Sequence, residues 1–277
     1  MRWLPQPVRK FFADRGPHLA AMIAYFALLS FVPLLFLTVS LLGVANRPDE
    51  SSYLVTELKR AFPGSSVASI VNTVDAIREH ATALGIVGGA ALVWASLSLF
   101  SVLESAMNIV YGQPNRSFLR GKLLAVGLML LLMLLSLVTL FVGLLIGSFG
   151  FDLLKRYVGW LAGNSYVAYG LSVTVSLIGI FLFLVAVYYF LTNVEHTFTD
   201  VLPGAVLASV VLEASFQVLP LYVRFSNNVV ALKAFGGPAL LLVWLYVMAN
   251  VTVFGAEINW WLADRRRTEP EEAAGLA

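Results

Sequence analysis

The chain has 277 residues, of which 59% are hydrophobic and only 12% are charged, with a formal net charge of +2. Because a soluble domain carries about 25% charged residues, so apolar a chain cannot cover its own surface with polar groups in water. The composition therefore excludes a soluble enzyme and predicts an integral membrane protein. The absence of cysteine also excludes disulfide bonds and thiolate metal sites.

The first long apolar stretch, residues 19–45, follows a basic N-terminal segment at residues 1–18. It is too long for the hydrophobic region of a cleaved signal peptide, which spans about 7–15 residues, so we expect a retained span. Pro33 lies inside this span and frees the carbonyl of Leu29, and Ser30 is placed to help satisfy the kink. Two interpretations stay open for Pro33: a hinge that lines a cavity, or a static kink.

Further along the chain, five more stretches are long enough to cross the hydrocarbon core, which needs about 20 apolar residues in each helix. Each must be helical, because lipid offers no hydrogen-bond partner to a free backbone amide. We therefore predict an all-α membrane protein, with one six-helix transmembrane domain at residues 19–263. The predicted spans are residues 19–45, 84–110, 121–147, 167–192, 201–223 and 237–263.

The connection at residues 46–83 is much longer than the others. In its second half, apolar residues recur every three or four positions, while Asp75, Arg78 and Glu79 fall elsewhere on the helical wheel. This pattern predicts an amphipathic helical segment in the first extracytoplasmic loop, at the membrane surface or over the bundle.

Lysine and arginine predict the orientation, because they are concentrated in short cytoplasmic segments. The N-terminal segment, the loop after the second span and the tail at residues 264–277 together hold ten basic residues, whereas the opposite face holds eight in much longer loops. We therefore expect a multi-pass protein with both termini in the cytoplasm and a disordered cytoplasmic tail.

Three glutamates lie in or near the predicted spans, although a charge at the centre of a membrane helix costs about 2.5–3.5 kcal/mol on insertion scales. Each has polar neighbours at helical spacing, which predicts a polar path between helices. The alternative is interhelical hydrogen bonding, which we favour for the Ser and Asn positions, whereas the depth of Glu213 favours function there. The transport-path candidates are Glu213, Gln217, Asn250, Glu257, Glu104, Asn108 and Arg224.

Small residues four positions apart, such as Gly204 and Ala208, predict close helix packing. Motifs for enzymatic chemistry are absent: the three histidines are far apart, and no HExxH, CxxC or GxxxxGK[ST] pattern occurs. We therefore expect no catalytic residues, no cofactor and no metal site. The basic residues fit topology signals and contacts with anionic lipids better than a nucleic-acid surface, so we expect membrane lipids and no nucleic acid as partners.

Four segments resemble the YihY / virulence factor BrkB family of bacterial inner-membrane proteins: HLAAMIAYFALLSFVPLLFLTVSLLG, LESAMNIVYG, LPGAVLASVVLEASFQVLPLYV and LLLVWLYVMANVTVFGAEIN. They are spread in order over nearly the whole chain. The resemblance implies six transmembrane helices in the inner membrane and cytoplasmic termini. It places Ser30, Pro33, Asn108, Glu213, Tyr222, Trp244, Tyr246, Gly255 and Glu257 at motif positions.

The chain departs from the family pattern at Tyr111, where Trp is usual, and at Phe235, where Tyr is usual. Members of the family have been labelled ribonuclease BN, and the missing metal ligands argue against that activity here. We predict instead a transporter of lipids or other amphipathic molecules through a polar cavity between helices, with Glu213 as a candidate proton carrier. The alternative is a non-transporting membrane scaffold or envelope-integrity factor, assembled as a homo-oligomer through its small-residue faces.

Overall fold

The computed structural model describes residues 5–44, 81–117, 119–128, 130–131, 165–195, 197–226 and 230–275, and every regular element in these ranges is helical. Residues 119–128 and 130–131 are also helical, but they carry no helix number here. The labelled helices are α1 (Gln6–Ala13), α2 (Gly16–Val44), α3 (Ala81–Val110), α4 (Ser165–Ala186), a π-helical turn (Val187–Leu191), α5 (Phe198–Ser226) and α6 (Val230–Gly275).

Four of the described helical segments are long and apolar enough to cross a membrane, and they coincide with the predicted second, fourth, fifth and sixth spans. They are Ile86–Val110, Val173–Leu191, Phe198–Val218 and Ala239–Arg266. The predicted first span is one continuous helix of 29 residues, α2. Most of the predicted third span lies outside the described residues, so the total of six spans stays a prediction.

Two predicted segments need separate comment. The predicted amphipathic segment within 46–83 lies outside the described residues, except for its last positions, which begin α3. The tail predicted to be disordered is described as helix, because α6 continues to Gly275. One anchor for this extension is an ion pair of 3.1 Å between Arg266 and Asp200, which lies in the first turn of α5.

The helix α2 continues through Pro33 without a break. The hydroxyl of Ser30 donates a hydrogen bond of 2.9 Å to the carbonyl of Phe26, one turn earlier. This bond serves a carbonyl other than that of Leu29, the one that Pro33 deprives of its donor. The continuous helix gives no support to a broken span, and a hinge at Pro33 stays a prediction.

The chain forms two compact units. Unit 1 contains Met1–Lys10, Met107–Ala214 and Phe254–Ala277, and unit 2 contains Phe11–Ala106 and Ser215–Val253. In both units the buried core is apolar, whereas many large apolar side chains are exposed on the spans, as expected where lipid is the solvent. Exposed examples are Ile86, Val87, Trp94, Ile178, Val206 and Val210.

Candidate functional site

The carboxylate of Glu257 on α6 is completely buried, and its counter-ion comes from the short helix α1. The ammonium nitrogen of Lys10 lies 3.1 Å from Oε2 of Glu257. It also donates a hydrogen bond of 2.5 Å to the carbonyl of Val110 and lies 4.3 Å from the centre of the Trp260 ring. Because Val110 is the last residue of α3, its carbonyl has no partner within the helix, and Lys10 therefore both neutralises Glu257 and caps α3.

A second contact fixes α1 on the same part of α6. The indole nitrogen of Trp261 donates a hydrogen bond of 3.0 Å to the side-chain oxygen of Gln6. The guanidinium of Arg265 lies over the face of the same indole, 4.5 Å from the ring centre. The adjacent tryptophans therefore hold the two cations Lys10 and Arg265 by their ring faces and α1 by a hydrogen bond.

Glycines bring α5 and α6 into backbone contact beside this site. A Cβ atom added to Gly204 would overlap the carbonyl oxygen of Gly255, and one added to Gly255 would overlap the hydroxyl of Tyr188. The side chain of Asn259 spans the same contact, since its Oδ1 accepts a hydrogen bond of 2.6 Å from the backbone N–H of Gly204. The close packing predicted from Gly204 and Ala208 is therefore present, with Gly255 as the facing residue.

Asn108 ties the end of α3 to the segment that follows α4. It is fully buried, its Oδ1 accepts a hydrogen bond of 2.7 Å from the backbone N–H of Asn193, and its Nδ2 donates one of 3.1 Å to Asn115. The helix ends here because Gly112 adopts a left-handed φ of 65°, and the N–H of Gln113 returns to the carbonyl of Asn108. These contacts favour the structural interpretation of Asn108 over a role in a transport path.

Arg116 extends the same connection to the end of the π-helical turn. Its guanidinium donates hydrogen bonds of 2.8 and 2.6 Å to the carbonyls of Leu191 and Thr192. Carbonyls at a helical C-terminus lack intrahelical partners and carry partial negative charge, so a fork of N–H donors with a full positive charge stabilises this end.

Three of the ten basic residues counted for the topology prediction thus bind at helix ends of unit 1. Lys10 joins the end of α3 to α6, and Arg116 binds the carbonyl of Leu191 at the end of the π-helical turn. Arg266 pairs with Asp200 at the start of α5. The ends of α3 and the π-helical turn and the start of α5 therefore lie at the same end of this unit. That these segments share one face of the membrane stays a prediction from the sequence.

Glu213 occupies a different setting, within the span formed by α5. Its carboxylate is buried, and Oε2 accepts a hydrogen bond of 2.6 Å from the hydroxyl of Ser176 on α4. Ser176 itself is exposed, as are its neighbour Val175 and Ile178, and Val210 on α5. A carboxylate inside an apolar span is therefore linked to a hydroxyl at the apolar surface.

The remaining candidates fall in unit 2, where the structure describes three of their side chains. Glu104 on α3 is buried, Gln217 on α5 is exposed, and Asn250 on α6 donates a hydrogen bond of 2.7 Å to the carbonyl of Tyr246 within its own helix. Arg224 belongs to α5, and its side chain lies outside the described part of the chain. Unit 1 contains Asn108, Glu213 and Glu257, with Lys10, Arg116 and Asn259 as site residues that the sequence did not single out as candidates.

Tyr111, one of the two departures from the family pattern, is buried directly after α3. Burial raises the pKa of its phenol, and the carboxylates of Asp200 and Glu257 raise it further. The phenol therefore stays neutral well above the usual range of tyrosine. Among the described residues, no group of three or more His, Asp or Glu side chains is arranged to hold a metal ion.

The family of the chain follows from its similarity to known proteins. The sequence model described as Virulence factor BrkB matches residues 8–276. This chain belongs to the BrkB family. No solved structure matches it significantly.

Among its relatives, a Bacillus subtilis (strain 168) protein named ribonuclease-like protein YfkH is 25% identical over 98% of both chains. A UPF0761 membrane protein of Chromohalobacter salexigens is 26% identical over 97% of this chain. Another, of Ralstonia nicotianae, is 27% identical over 88% of this chain. The chain spans only 65% and 55% of their lengths. The relatives and the apolar helices identify a membrane protein of the BrkB family, and the word ribonuclease applies only to the name of YfkH.

Proposed function

We propose that this BrkB-family protein moves a lipid or another amphipathic molecule across the bacterial inner membrane, and that Glu213 meets the polar headgroup. The supporting observation is the link between buried Glu213 and exposed Ser176 within apolar spans. A headgroup that enters between α4 and α5 would find a hydroxyl first and a carboxylate behind it. The hydrocarbon tails would stay in the surrounding lipid.

The insertion cost of a carboxylate is consistent with a function for Glu213. A carboxylate at the centre of a membrane helix costs about 2.5–3.5 kcal/mol on insertion scales. A hydrogen bond between membrane helices contributes only about 0.6 kcal/mol on average. The bond from Ser176 offsets only part of this cost, and a polar cargo or a proton at Glu213 would give the buried carboxylate a function beyond helix packing.

Transport by Glu213 is testable in liposomes that contain the purified protein and a fluorescent phospholipid. We expect Glu213→Gln to lower the rate of lipid movement at least about tenfold, the loss produced by roughly 1.4 kcal/mol of barrier. The matched control is Glu195→Gln, because Glu195 is an exposed glutamate outside the spans. Equal rates for wild type and Glu213→Gln would remove Glu213 from the mechanism.

The end of unit 1 that carries Lys10, Arg116 and Arg266 is the proposed cytoplasmic end, since short basic segments stay in the cytoplasm. The chain has no cysteine, so one engineered thiol reports its side of the membrane without background. In intact cells, Gln113→Cys should resist an impermeant maleimide and react only after permeabilisation. Labelling of Gln113→Cys in intact cells would invert this orientation.

A non-transporting scaffold is the alternative function, and the backbone contact between α5 and α6 at Gly204 and Gly255 supports it. Such a contact within the chain fits a rigid packing element, and other small-residue faces would then mediate assembly with further copies. Absence of lipid movement by wild type in liposomes, together with normal growth of cells that carry Glu213→Ala, would favour this alternative.

A further inference from the structure

The side chain of Lys10 contacts three chemically different groups. Its ammonium contacts a carboxylate oxygen of Glu257, the backbone carbonyl of Val110 and the ring face of Trp260. All three features attract an ammonium group, which has a positive charge and three N–H donors. Glu257 is completely buried, whereas the Lys10 side chain retains 17% of its exposure, so the site is approached from the side of Lys10.

We propose that Glu257, Val110 and Trp260 form a binding site for a primary ammonium group, and that the ammonium of an amphipathic substrate exchanges with Lys10. This inference rests on the proposed function and adds the substrate class. Lys10 is the resident occupant and keeps the Glu257 charge compensated while no substrate is bound. A substrate ammonium that displaces it makes the same contacts, so the buried carboxylate is never left alone.

The geometry selects a primary ammonium. The Lys10 nitrogen donates a hydrogen bond to the carbonyl of Val110, and a contact this close requires an N–H donor. A quaternary ammonium has no N–H, and its methyl groups hold its nitrogen farther from the carbonyl and the carboxylate. An ethanolamine-type headgroup therefore fits these three groups, whereas a choline-type headgroup does not.

The element that carries Lys10 is suited to exchange. The helix α1 has only eight residues, and a helix of this length is not stable without tertiary contacts. Its polar side-chain contacts with α6 include those of Lys10 and the hydrogen bond between Gln6 and Trp261. Once a competing ammonium takes the place of Lys10, α1 loses much of this attachment.

Chemical rescue tests the binding site. In detergent, Lys10→Ala should unfold at a lower temperature than wild type, and n-propylammonium should restore most of the loss in a saturable way. Tetramethylammonium at the same ionic strength should not restore it. The double variant with Lys10→Ala and Glu257→Gln should show no rescue, and Arg9→Ala, a change at the exposed neighbouring cation, should show none either.

Rescue of Lys10→Ala by both cations alike, or by neither, would overturn the proposed site. If Lys10→Ala fails to fold, purification in the presence of n-propylammonium replaces the rescue measurement. Recovery of folded protein with this cation, and not with tetramethylammonium, supports the site. Equal recovery with the two cations overturns it.

Exchange in the wild-type protein is measured by hydrogen–deuterium exchange of the α1 amides in nanodiscs of equal anionic lipid content. We expect faster exchange with phosphatidylethanolamine than with phosphatidylcholine. A parallel arm adds free ethanolammonium to the phosphatidylcholine nanodiscs: acceleration there points to a free amine, and its absence points to the lipid headgroup. Identical exchange in all three conditions overturns the exchange of Lys10. These readouts do not use transport, so they separate failure of this site from failure of the Glu213 mechanism.

Discussion

Unit 1 buries two carboxylates in opposite ways. Glu257 lies against a cation, a helix-end carbonyl that shares this cation, and a tryptophan ring, beside the backbone contact of α5 with α6. Glu213 accepts a hydrogen bond from a neutral hydroxyl, and the residue that donates it is exposed on an apolar surface. The first carboxylate is enclosed and charge-compensated, whereas the second is connected to the outside.

This difference separates two functions of an acidic group in a membrane. A compensated, enclosed carboxylate needs a cation beside it, since removing its partner leaves a buried charge. A carboxylate that communicates with the surface through a hydroxyl remains accessible to a headgroup or a proton. Four measurements distinguish these settings.

The largest effect is expected when the counter-ion of Glu257 is removed. Lys10→Met leaves a buried carboxylate without its lysine partner, and breaking a buried ion pair in this way costs about 3–5 kcal/mol. Denaturant unfolding in detergent micelles measures the loss. Arg9→Met changes an exposed cation on the same helix and should cost less than about 0.5 kcal/mol. Similar losses for the two variants would show that Lys10 does not compensate Glu257.

A smaller effect is expected from packing. Gly204→Ala places a methyl group against the carbonyl of Gly255, and overpacking of this kind costs about 1–3 kcal/mol. Gly179 on α4 is the matched control near Ser176, because an added Cβ there meets no atom within 4 Å. Gly179→Ala should be neutral or stabilising by up to about 1 kcal/mol. An equal loss in both variants would contradict the difference in packing between the two regions.

Alkaline pH probes the surroundings of Glu257 through Tyr111. Tyrosine in an unfolded chain ionises near pH 10, whereas burial, followed by Asp200 and Glu257, raises the pKa of folded Tyr111. Above about pH 10 the folded state therefore binds the extra proton, and stability falls as pH rises, by at most about 1.4 kcal/mol per pH unit. Below about pH 9 this tyrosine causes almost no pH dependence.

The measurement is the unfolding free energy between pH 9 and pH 11. Tyr111→Phe should make the fall above about pH 10 shallower, whereas Glu257→Gln removes only the smallest cause of the raised pKa and should leave the fall nearly unchanged. Glu213 is not among the causes of the shift, so Glu213→Gln should leave the slope unchanged. The same slope in wild type and Tyr111→Phe would contradict the assignment.

The smallest effect is expected at Ser176. Ser176→Ala removes the hydrogen bond to Glu213, and an exposed position limits the cost to about 1 kcal/mol or less. The same unfolding measurement in micelles detects it. A loss as large as that of Lys10→Met would show that Ser176 compensates an enclosed charge, and the contrast between the two regions would disappear.

The sequence was most informative where structure depends on local composition. Hydropathy predicts the segments around α3, α4, α5 and α6, because each must be apolar and helical over a length set by the bilayer. The spacing of Gly204 and Ala208 predicts close packing because small residues permit it. The alternation of basic segments predicts that Lys10, Arg116 and Arg266 lie at related ends.

The partners of these cations were beyond prediction from the sequence. Lys10 and Glu257 lie at opposite ends of the chain, and no periodicity connects an eight-residue amphipathic helix to one position on α6. The same holds for Asn259 and Gly204, since a lone asparagine near the end of an apolar helix carries no pattern of its own. Similarly, the position of Glu213 deep in an apolar stretch is visible in the sequence, but its link to Ser176 depends on how α4 and α5 face each other.

The glycine contact has a mechanical consequence for any working cycle. Side chains between two helices usually leave room for one helix to rotate against the other. At Gly204 and Gly255 no side chain separates the two backbones. Rolling either segment would drive a backbone oxygen into its neighbour. Within unit 1, we therefore expect α5 and α6 to move together, so that Glu213 and Glu257 keep a constant separation in any working cycle.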